Sequence, residues 1–221
     1  MLQQSHIQAR RASIQSSGLQ NETDPIARMG TQIRYSRNEE IHGEGEPAEF
    51  LYKVMSGTVR TYKILADGRR QIGAFYLPGD IFGLEASEEH AFSAEAVTES
   101  TVLVVKRSAI MDLARRDRAV AQSLWTETGR ELQRTQAHVL LLIKAADERV
   151  AGFLTDMARR EGNQTNIQLA MSRQGIADYL GLTIETISRT FSQFEKSAVI
   201  ALPSSRCIEI KDRAALLRLD S

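Results

Sequence analysis

The sequence predicts an α+β fold with three parts: an N-terminal double-stranded β-roll (jelly-roll-like), one long helix and a C-terminal winged helix-turn-helix. Three patterns support this prediction. Short apolar segments broken by glycine fill the first half, an apolar period of three and four follows, and two short capped helices separated by a glycine come later. We expect a flexible polar arm over 1–24, the roll over 25–116, the long helix over 117–146 and the winged domain over 147–221.

The roll is predicted from strand and turn signals between residues 25 and 106. The segment Phe50–Ser56 is followed by Gly57 and a second strand, TVRTYKIL. Ala66-Asp67-Gly68 is a hairpin turn signal, after which RRQIGAFYL returns. Further short segments, LPGDIFGLE, 92–96 and STVLVV, continue the pattern. Many short strands at regular spacing are typical of a β-barrel or β-roll.

The long helix carries a stripe of apolar residues and threonines that predicts pairing with a second helix. Its members recur at spacings of three and four: Leu124, Thr128, Leu132, Thr135, Val139 and Leu142. The alternative is packing onto the chain's own roll, which we expect over the first turns. A break at 146–148 is expected before another amphipathic helix, 149–160.

The helix-turn-helix is predicted over residues 171–196. Ser172 caps a helix that ends at Leu180, Gly181 supplies a turn residue that tolerates positive φ, and Thr183 caps the second helix. One face of the pair is apolar: Ile176, Leu180, Ile187, Phe191 and Phe194. The opposite face of the second helix is polar: Glu185, Ser188, Arg189 and Ser192.

The polar face has the chemistry needed to read base edges in a major groove. A guanidinium donates two bonds to guanine, and a carboxylate accepts from the cytosine amino group. The alternative for Glu185 and Arg189 is a solvated ion pair four residues apart. Residues 147–221 contain ten Lys plus Arg and ten Asp plus Glu, so this part of the chain is neutral, like the whole chain with 28 of each. DNA affinity would therefore depend on local placement of a few basic residues.

A two-stranded wing is predicted by VIALPSSRCIEIK, with its turn at 203–205. Arg206 near the tip is a candidate phosphate contact, or alternatively a solvated hairpin arginine. Cys207 is either a half-buried small hydrophobe or an exposed thiol sensitive to oxidation. As the single cysteine, it excludes an intrachain disulfide and favours the cytoplasm.

The segments SRQGIADY and LGLTIETISR closely resemble the helix-turn-helix of the Crp/Fnr family of bacterial transcription regulators. The E-x-x-S-R pattern, here Glu185, Ser188 and Arg189, is most like the Fnr and FixK branches. YKVMSGTVRTYK and FYLPGDIFGLE resemble the cyclic-nucleotide-binding type of roll. The resemblance implies a cytoplasmic homodimeric regulator, an activator, that binds double-stranded DNA at palindromes like TTGA-N6-TCAA, contacts RNA polymerase and involves no membrane.

The resemblance also implies roles for individual residues. Arg189 should read guanine, Glu185 should accept from a cytosine or adenine amino group, and Ile184 and Ser188 should lie against thymine. Phosphate contacts are expected at Ser172, Arg173, Gln174, Thr183 and Thr186. The stripe on the long helix becomes the dimerisation seam.

Departures from the family pattern argue against a cofactor or a cyclic nucleotide. Where family members hold the nucleotide's ribose with glutamate and its phosphate with arginine, this chain has Leu84 and Phe92, and Glu85 is one place out of register. No cysteine precedes Cys207, so the Fnr-type iron–sulfur cluster is not expected. The four histidines, His6, His42, His90 and His138, are scattered and lack metal-type spacing. Haem binding through one of them is an alternative to which the sequence gives little support.

Two other functional classes stay open as alternatives. The first is a regulator that needs a small ligand in the roll to bind DNA, and the second is a nucleotide-binding module without DNA function. An enzyme is not expected, because the sequence has no nucleophile elbow, phosphate-binding loop or pair of catalytic carboxylates.

Overall fold

The structure, a computed structural model, describes residues 28–163 and 165–220. The arm predicted for 1–24 lies outside these residues. Eight short strands form the N-terminal domain: β1 (Thr31–Tyr35), β2 (Glu40–His42), β3 (Phe50–Ser56), β4 (Val59–Ile64), β5 (Arg70–Tyr76), β6 (Ile81–Phe82), β7 (Ser93–Ala96) and β8 (Ser100–Lys106).

Two four-stranded antiparallel sheets pack face to face and confirm the β-roll. Their strand orders are β1-β8-β3-β6 and β2-β7-β4-β5. The inner faces bury Val54, Val59, Ala94 and Val102 completely. Gly57 joins β3 to β4 at φ 82°, and a Cβ there would lie 2.4 Å from the Glu99 carbonyl oxygen, so only glycine fits this connection.

Six helices follow in the described part of the chain: α1 (Arg107–Arg116), α2 (Arg118–Leu142), α3 (Ala146–Arg160), α4 (Arg173–Leu180), α5 (Ile184–Lys196) and α6 (Arg213–Leu219). Asp117 separates the first two, because its backbone N–H still bonds Leu113 while its side chain already accepts from the Ala119 N–H. None of the helices in the described ranges has the length and hydropathy needed to cross a membrane.

The long helix is shorter than predicted. It ends at Leu142, and α3 begins at Ala146, so the break lies at 143–145 instead of 146–148. The cause is a local cap: Glu148 accepts a hydrogen bond from the Ala145 N–H at 2.9 Å, which starts α3 one turn before the expected position.

The winged domain consists of α3 to α6 and a small sheet of β9 (Asn166–Gln168), β10 (Ile200–Ala201) and β11 (Cys207–Ile210). The predicted wing strands β10 and β11 are paired, and β11 is central because β9 adds to its other edge. Ile208 and Ile167 face each other in this sheet and are both buried.

The β-roll and the winged domain share one hydrophobic cluster. Ile72 and Phe75 on β5 pack with Phe153, Ile176 and Leu180 of the winged domain. Polar contacts frame this junction: Arg70 Nε donates to Asp178 at 3.1 Å, and the Gln71 amide donates to the Tyr179 carbonyl at 3.3 Å. Helix α4 is therefore held against the edge of the roll.

Candidate nucleic-acid interface

Both helices of the helix-turn-helix begin at side-chain caps. The Ser172 hydroxyl accepts from the Gly175 N–H at 3.1 Å, and the Thr183 hydroxyl accepts from the Thr186 N–H at 3.2 Å. Gly181 ends α4 in the left-handed conformation at φ 61°. These local contacts fix where each helix begins and where α4 ends.

The two faces of α5 differ as its sequence predicts. The apolar face is buried against α3 and α4, with Ile187, Phe191 and Phe194 almost wholly inaccessible. The opposite face exposes Glu185, Ser188, Arg189 and Ser192, and Ile184 at the start of the helix is also exposed. The result is a polar row of side chains on a helix that is anchored from behind.

The charged residues of the exposed row are not paired with each other. Within the described residues, no ion pair joins Glu185 to Arg189, and Arg189 makes no hydrogen bond to a side chain or backbone group. Hydrogen bonds from its own backbone N–H and from the Thr183 hydroxyl hold the pKa of Glu185 below its usual range. Glu185 therefore presents an ionised acceptor and Arg189 a full set of donors.

The residues expected to contact phosphate lie around the start of each helix. Ser172, Gln174 and Thr183 are exposed, and Thr186 is half-buried. The Gln174 amide donates to Asp178 at 2.6 Å, one turn along α4. All five residues, including Arg173, thus lie at or near helix N-termini, where backbone N–H groups favour an anion.

The Arg173 side chain is packed against Phe191 and is not free for a phosphate contact. Its guanidinium carbon is 3.9 Å from the centre of the Phe191 ring, and Nη1 is buried with no hydrogen-bond partner in the described residues. Burial lowers the pKa of this arginine. The side chain therefore stacks α4 onto α5, a role that the sequence pattern alone does not indicate.

The wing brings Arg206 and Cys207 next to the turn that joins β10 to β11. Both side chains are half-buried, and the Arg206 carbonyl accepts from the Leu169 N–H at 2.8 Å. Ile208 and Ile210 alternate into the core, so Cys207 lies on the opposite face of β11.

Helix α2 carries an exposed apolar stripe that no described residue covers. Trp125 is 81% exposed, Leu132 58%, Val139 57% and Ile143 79%, and Leu140 flanks them. Thr128 and Thr135 are exposed beside this stripe, and each donates its hydroxyl hydrogen to a carbonyl four residues earlier. Their polar groups are therefore satisfied within the helix.

The two end residues of the predicted seam, Leu124 and Leu142, do not lie on the exposed stripe. Leu124 packs against Leu51, Val105 and Ile110 of the chain's own roll and first helix, and Leu142 is half-buried beside Gly181. Trp125 and Ile143 occupy the exposed stripe instead. Their signal in the sequence was the seven-residue spacing of Trp125, Leu132 and Val139, with Ile143 four residues later.

The part of the roll that contains Leu84, Glu85 and Phe92, here called the cassette region, corresponds to the positions at which the resembled family holds a cyclic nucleotide. Apolar and aromatic side chains fill it. The Phe92 ring lies against Gly73, where a Cβ would be only 3.1 Å from it, and Leu84 packs on the cluster around Leu51. Glu85 is directed to His90 instead, with 3.4 Å between its Oε1 and Nδ1.

A buried histidine pair lies beside this region. The rings of His42 and His90 stack with their centres 3.6 Å apart, and Tyr52 and Phe82 pack around them. Burial, followed by the charge on His90, lowers the pKa of His42 to about 4. Across residues 28–163 and 165–220, no three His, Cys, Asp or Glu side chains form a metal-binding group.

Two family models match the two domains. Residues 32–117 match the cyclic nucleotide-binding domain, and residues 148–219 match the Crp-like helix-turn-helix domain. Together they cover most of the chain.

Relatives match over nearly the whole chain. The nitrogen fixation regulation protein FixK of Azorhizobium caulinodans is 52% identical over 202 residues, which cover 89% of this chain and 82% of the relative. FixK of Rhizobium meliloti is 42% identical, with coverage of 84% and 85%. The structure of FixK2 from Bradyrhizobium japonicum superposes with a TM-score of 0.83 at 48% identity, covering 87% of this chain and 98% of that one. The chain belongs to the Crp/Fnr family and is a transcription regulator of the FixK type.

Proposed function

We propose that this protein is a homodimeric, sequence-specific activator that binds palindromes like TTGA-N6-TCAA without an iron–sulfur cluster or a cyclic nucleotide. The observation that carries the proposal is the exposed polar row of Glu185, Ser188 and Arg189 on a helix anchored by a buried apolar face. A recognition helix needs this combination, because its base-reading groups must be exposed to the groove and held by a rigid support.

Each residue of the row has a role in the proposed complex. Arg189 donates two bonds to the guanine of the TTG element, and Glu185 accepts from an amino group on the complementary strand. Ile184 and Ser188 lie against thymine. Phosphate contacts from Ser172, Gln174, Thr183, Thr186 and Arg206 determine the register on DNA, and Arg173 supports α4 through Phe191.

The apolar stripe on α2 is the proposed dimer interface. A contiguous row containing an exposed tryptophan and isoleucine is unusual on the surface of a monomer and is typical of a protein interface. A two-fold axis along paired α2 helices would place two recognition helices for half-sites about 34 Å apart, one helical turn of DNA. A palindrome matches this symmetry.

Independence from cyclic nucleotides is supported by the side chains in the cassette region. Phe92 and Leu84 offer neither the cation nor the acceptor that a cyclic nucleotide needs, and Glu85 is engaged with His90. The names of the rhizobial relatives suggest target genes in nitrogen fixation. Oxygen-responsive and respiratory promoters, reached in the cytoplasm together with RNA polymerase, are the setting we propose.

Binding of the purified, ligand-free protein to this palindrome tests the proposal. We expect the dimer to bind the operator far more tightly than a scrambled duplex, and added cyclic AMP or cyclic GMP to leave the affinity unchanged. Failure to bind until a nucleotide is added would favour an effector-gated regulator instead.

A further inference from the structure

One carboxylate of the β-roll binds helices α2 and α3 at the same time. Asp80 follows β5 in the turn that leads to β6, and its Oδ1 pairs with Arg134 Nη1 of α2 at 2.7 Å. Its Oδ2 accepts from Arg160 Nη2 of α3 at 2.6 Å. The arginine side chains are only 22% and 12% exposed, so these charge-assisted contacts are partly shielded from water and hold a defined direction. We call Asp80, Arg134 and Arg160 the clamp.

The carboxylate of the clamp is presented by a rigid turn. The Asp80 carbonyl accepts from the Val54 N–H at 3.0 Å, and the Asp80 N–H donates to the Leu77 carbonyl at 3.0 Å. Oδ2 of Asp80 also accepts from the Leu77 N–H at 2.8 Å. Because Val54 is completely buried in β3, the position of Asp80 is fixed relative to the core of the roll.

Both helices have a second contact with β5 beside the clamp. The Tyr76 hydroxyl donates to Glu131 Oε1 of α2 at 2.7 Å, and the other oxygen of Glu131 pairs with Arg134 at 2.7 Å. Arg160 also donates to the Phe75 carbonyl at 2.7 Å. The last residue of α3 is therefore bound to the roll at the same point as the middle of α2.

The position of the clamp on α3 gives it leverage over the winged domain. Helix α3 has 15 residues, about 22 Å, and its first residue follows the break at 143–145 that joins it to α2. Phe153 of α3 and Ile187 of the recognition helix α5 belong to one buried cluster, so we expect the two helices to move together. A rotation of about 5° about the break would move the end of α3 by about 2 Å. In a two-fold dimer the separation of the two recognition helices would then change by up to about 4 Å, the size of one base-pair step.

The other contacts between the two domains leave this rotation open. Apolar packing of β5 on the winged domain is non-directional and lets the surfaces slide. The polar contacts of Arg70, Gln71 and His138 reach α4, at Asp178 and Tyr179. With these contacts alone, the winged domain could pivot about α4 while the end of α3 swings. The clamp supplies a second point of attachment, which removes the pivot.

We infer that Asp80 is a positioning residue that determines which half-site spacing the dimer accepts. It acts through Arg134 and Arg160, which fix the angle between the paired α2 helices and the winged domains. The base-reading side chains on α5 are not involved, so each half-site should be recognised with or without the clamp. The inference rests on the proposed function, since spacing matters only to a dimer that binds a palindrome.

The test compares the wild type with Asp80→Asn, Arg160→Gln and a control, Asp112→Asn. Asp80→Asn keeps the size of the side chain and removes its charge, whereas Arg160→Gln leaves the turn around Asp80 and its pair with Arg134 intact. Arg160→Gln therefore keeps the inference testable if Asp80→Asn does not fold. The control removes an exposed ion pair within α1, Asp112 with Arg115 at 2.9 Å, that joins no two domains.

Affinity is measured on a single half-site and on palindromes whose central spacer is N6 or is one base pair shorter or longer. We expect the wild type and Asp112→Asn to bind the N6 palindrome at least about ten-fold more tightly than the other two, because both half-sites engage only at the matching spacing. In Asp80→Asn and Arg160→Gln this ratio should fall to about two- to three-fold, while affinity for the single half-site stays near that of the wild type. A merely structural role would lower the affinity for every duplex alike.

A second measurement needs neither DNA nor a dimer. Residual dipolar couplings of the backbone amides report how the winged domain is oriented relative to the roll and α2. In the wild type and in Asp112→Asn the couplings of both domains should fit one common alignment. In Asp80→Asn and Arg160→Gln the winged domain should show smaller couplings that require an alignment of their own.

An unchanged spacing preference in both clamp variants would overturn the inference. If the wild type does not prefer the N6 palindrome to a scrambled duplex, the proposed function is contradicted instead. The couplings then decide on the clamp: a common alignment in both variants would overturn the positioning role of Asp80, and separate alignments would support it.

Discussion

At the scale of single residues, the same side chain can serve the fold or the DNA, depending on which groups remain unpaired. Arg189 is exposed and makes no hydrogen bond to another of the residues that the structure describes, whereas Arg173, a nearby arginine expected to face DNA, is stacked on Phe191. An arginine that is free in the unbound protein spends no energy on releasing a partner before it reads a base.

Replacing Arg189 by alanine should cost about 1–3 kcal/mol per half-site and relax the preference for guanine. The reason is the loss of two parallel hydrogen bonds to guanine O6 and N7. The measurement is operator affinity with all four bases at that position. Lys196→Ala, at the other end of the same helix, is the matched control and should keep the guanine preference. Unchanged discrimination in Arg189→Ala would remove this residue from the base-reading set.

The histidine pair should make the β-roll sensitive to acid. His42 has a pKa of about 4 in the folded protein, whereas an exposed histidine titrates near 6.5. Below pH 6.5 His42 is therefore protonated in the unfolded chain but stays neutral in the folded chain. The free energy of unfolding falls as the pH drops towards 4. The loss from this residue should reach about 2 kcal/mol at pH 5.

Chemical denaturation at pH 7 and pH 5 measures this loss. His42→Phe keeps an aromatic ring against His90 and removes the titrating group, so the difference between the two pH values should shrink. His138→Gln, at the junction with the winged domain, should leave the contribution of His42 in place. If His42→Phe loses as much stability as the wild type between the two pH values, another group causes the acid sensitivity.

At the scale of secondary-structure elements, the sequence predicts helix ends correctly where the contact that specifies them lies within one or two turns. Ser172, Gly181 and Thr183 specify both ends of the helix-turn-helix through neighbours three residues away. The face of α2 was harder to predict, because periodicity does not tell which side of a helix its own domain covers. The spacing therefore places Leu124 in the predicted seam, whereas in the structure Leu124 packs on the chain's own roll and Trp125 lies on the exposed stripe.

Aspartates introduced into the α2 stripe should separate the proposed dimer. Leu132→Asp with Val139→Asp would bury four charges against their symmetry mates, and unpaired buried charge is costly. Sedimentation should show a monomer with much weaker operator binding. Ser123→Asp with Ala137→Asp places the same charges on another exposed part of α2 and should stay dimeric. An intact dimer in the first variant would move the interface away from this stripe.

At the scale of the whole molecule, a neutral chain has to bind a polyanion. The net charge is zero, so affinity must arise from where the charges lie. Several carboxylates are already engaged by arginines of the chain itself, such as Glu95 by Arg60 and Asp80 by Arg160 at 2.6 Å. The junction between roll and winged domain could not be predicted from sequence, because Arg70 and Asp178 are 108 residues apart.

Operator affinity should fall steeply with salt despite the neutral composition. Each neutralised phosphate contributes about −0.9 to the slope of log K against log salt, so a dimer with several contacts in each half-site should give a slope of several units. Fluorescence anisotropy over a range of potassium chloride concentrations measures it. A slope near zero would mean that the DNA-facing surface has no net positive charge, as the chain as a whole has none.

The most direct test is selection of DNA from a random pool by the purified, ligand-free protein. The account predicts enrichment of a TTGA-N6-TCAA-like palindrome by the wild type, and a palindrome with a degraded guanine position for Arg189→Ala. Enrichment of a single unpaired half-site, or enrichment only after a small ligand is added, would contradict it.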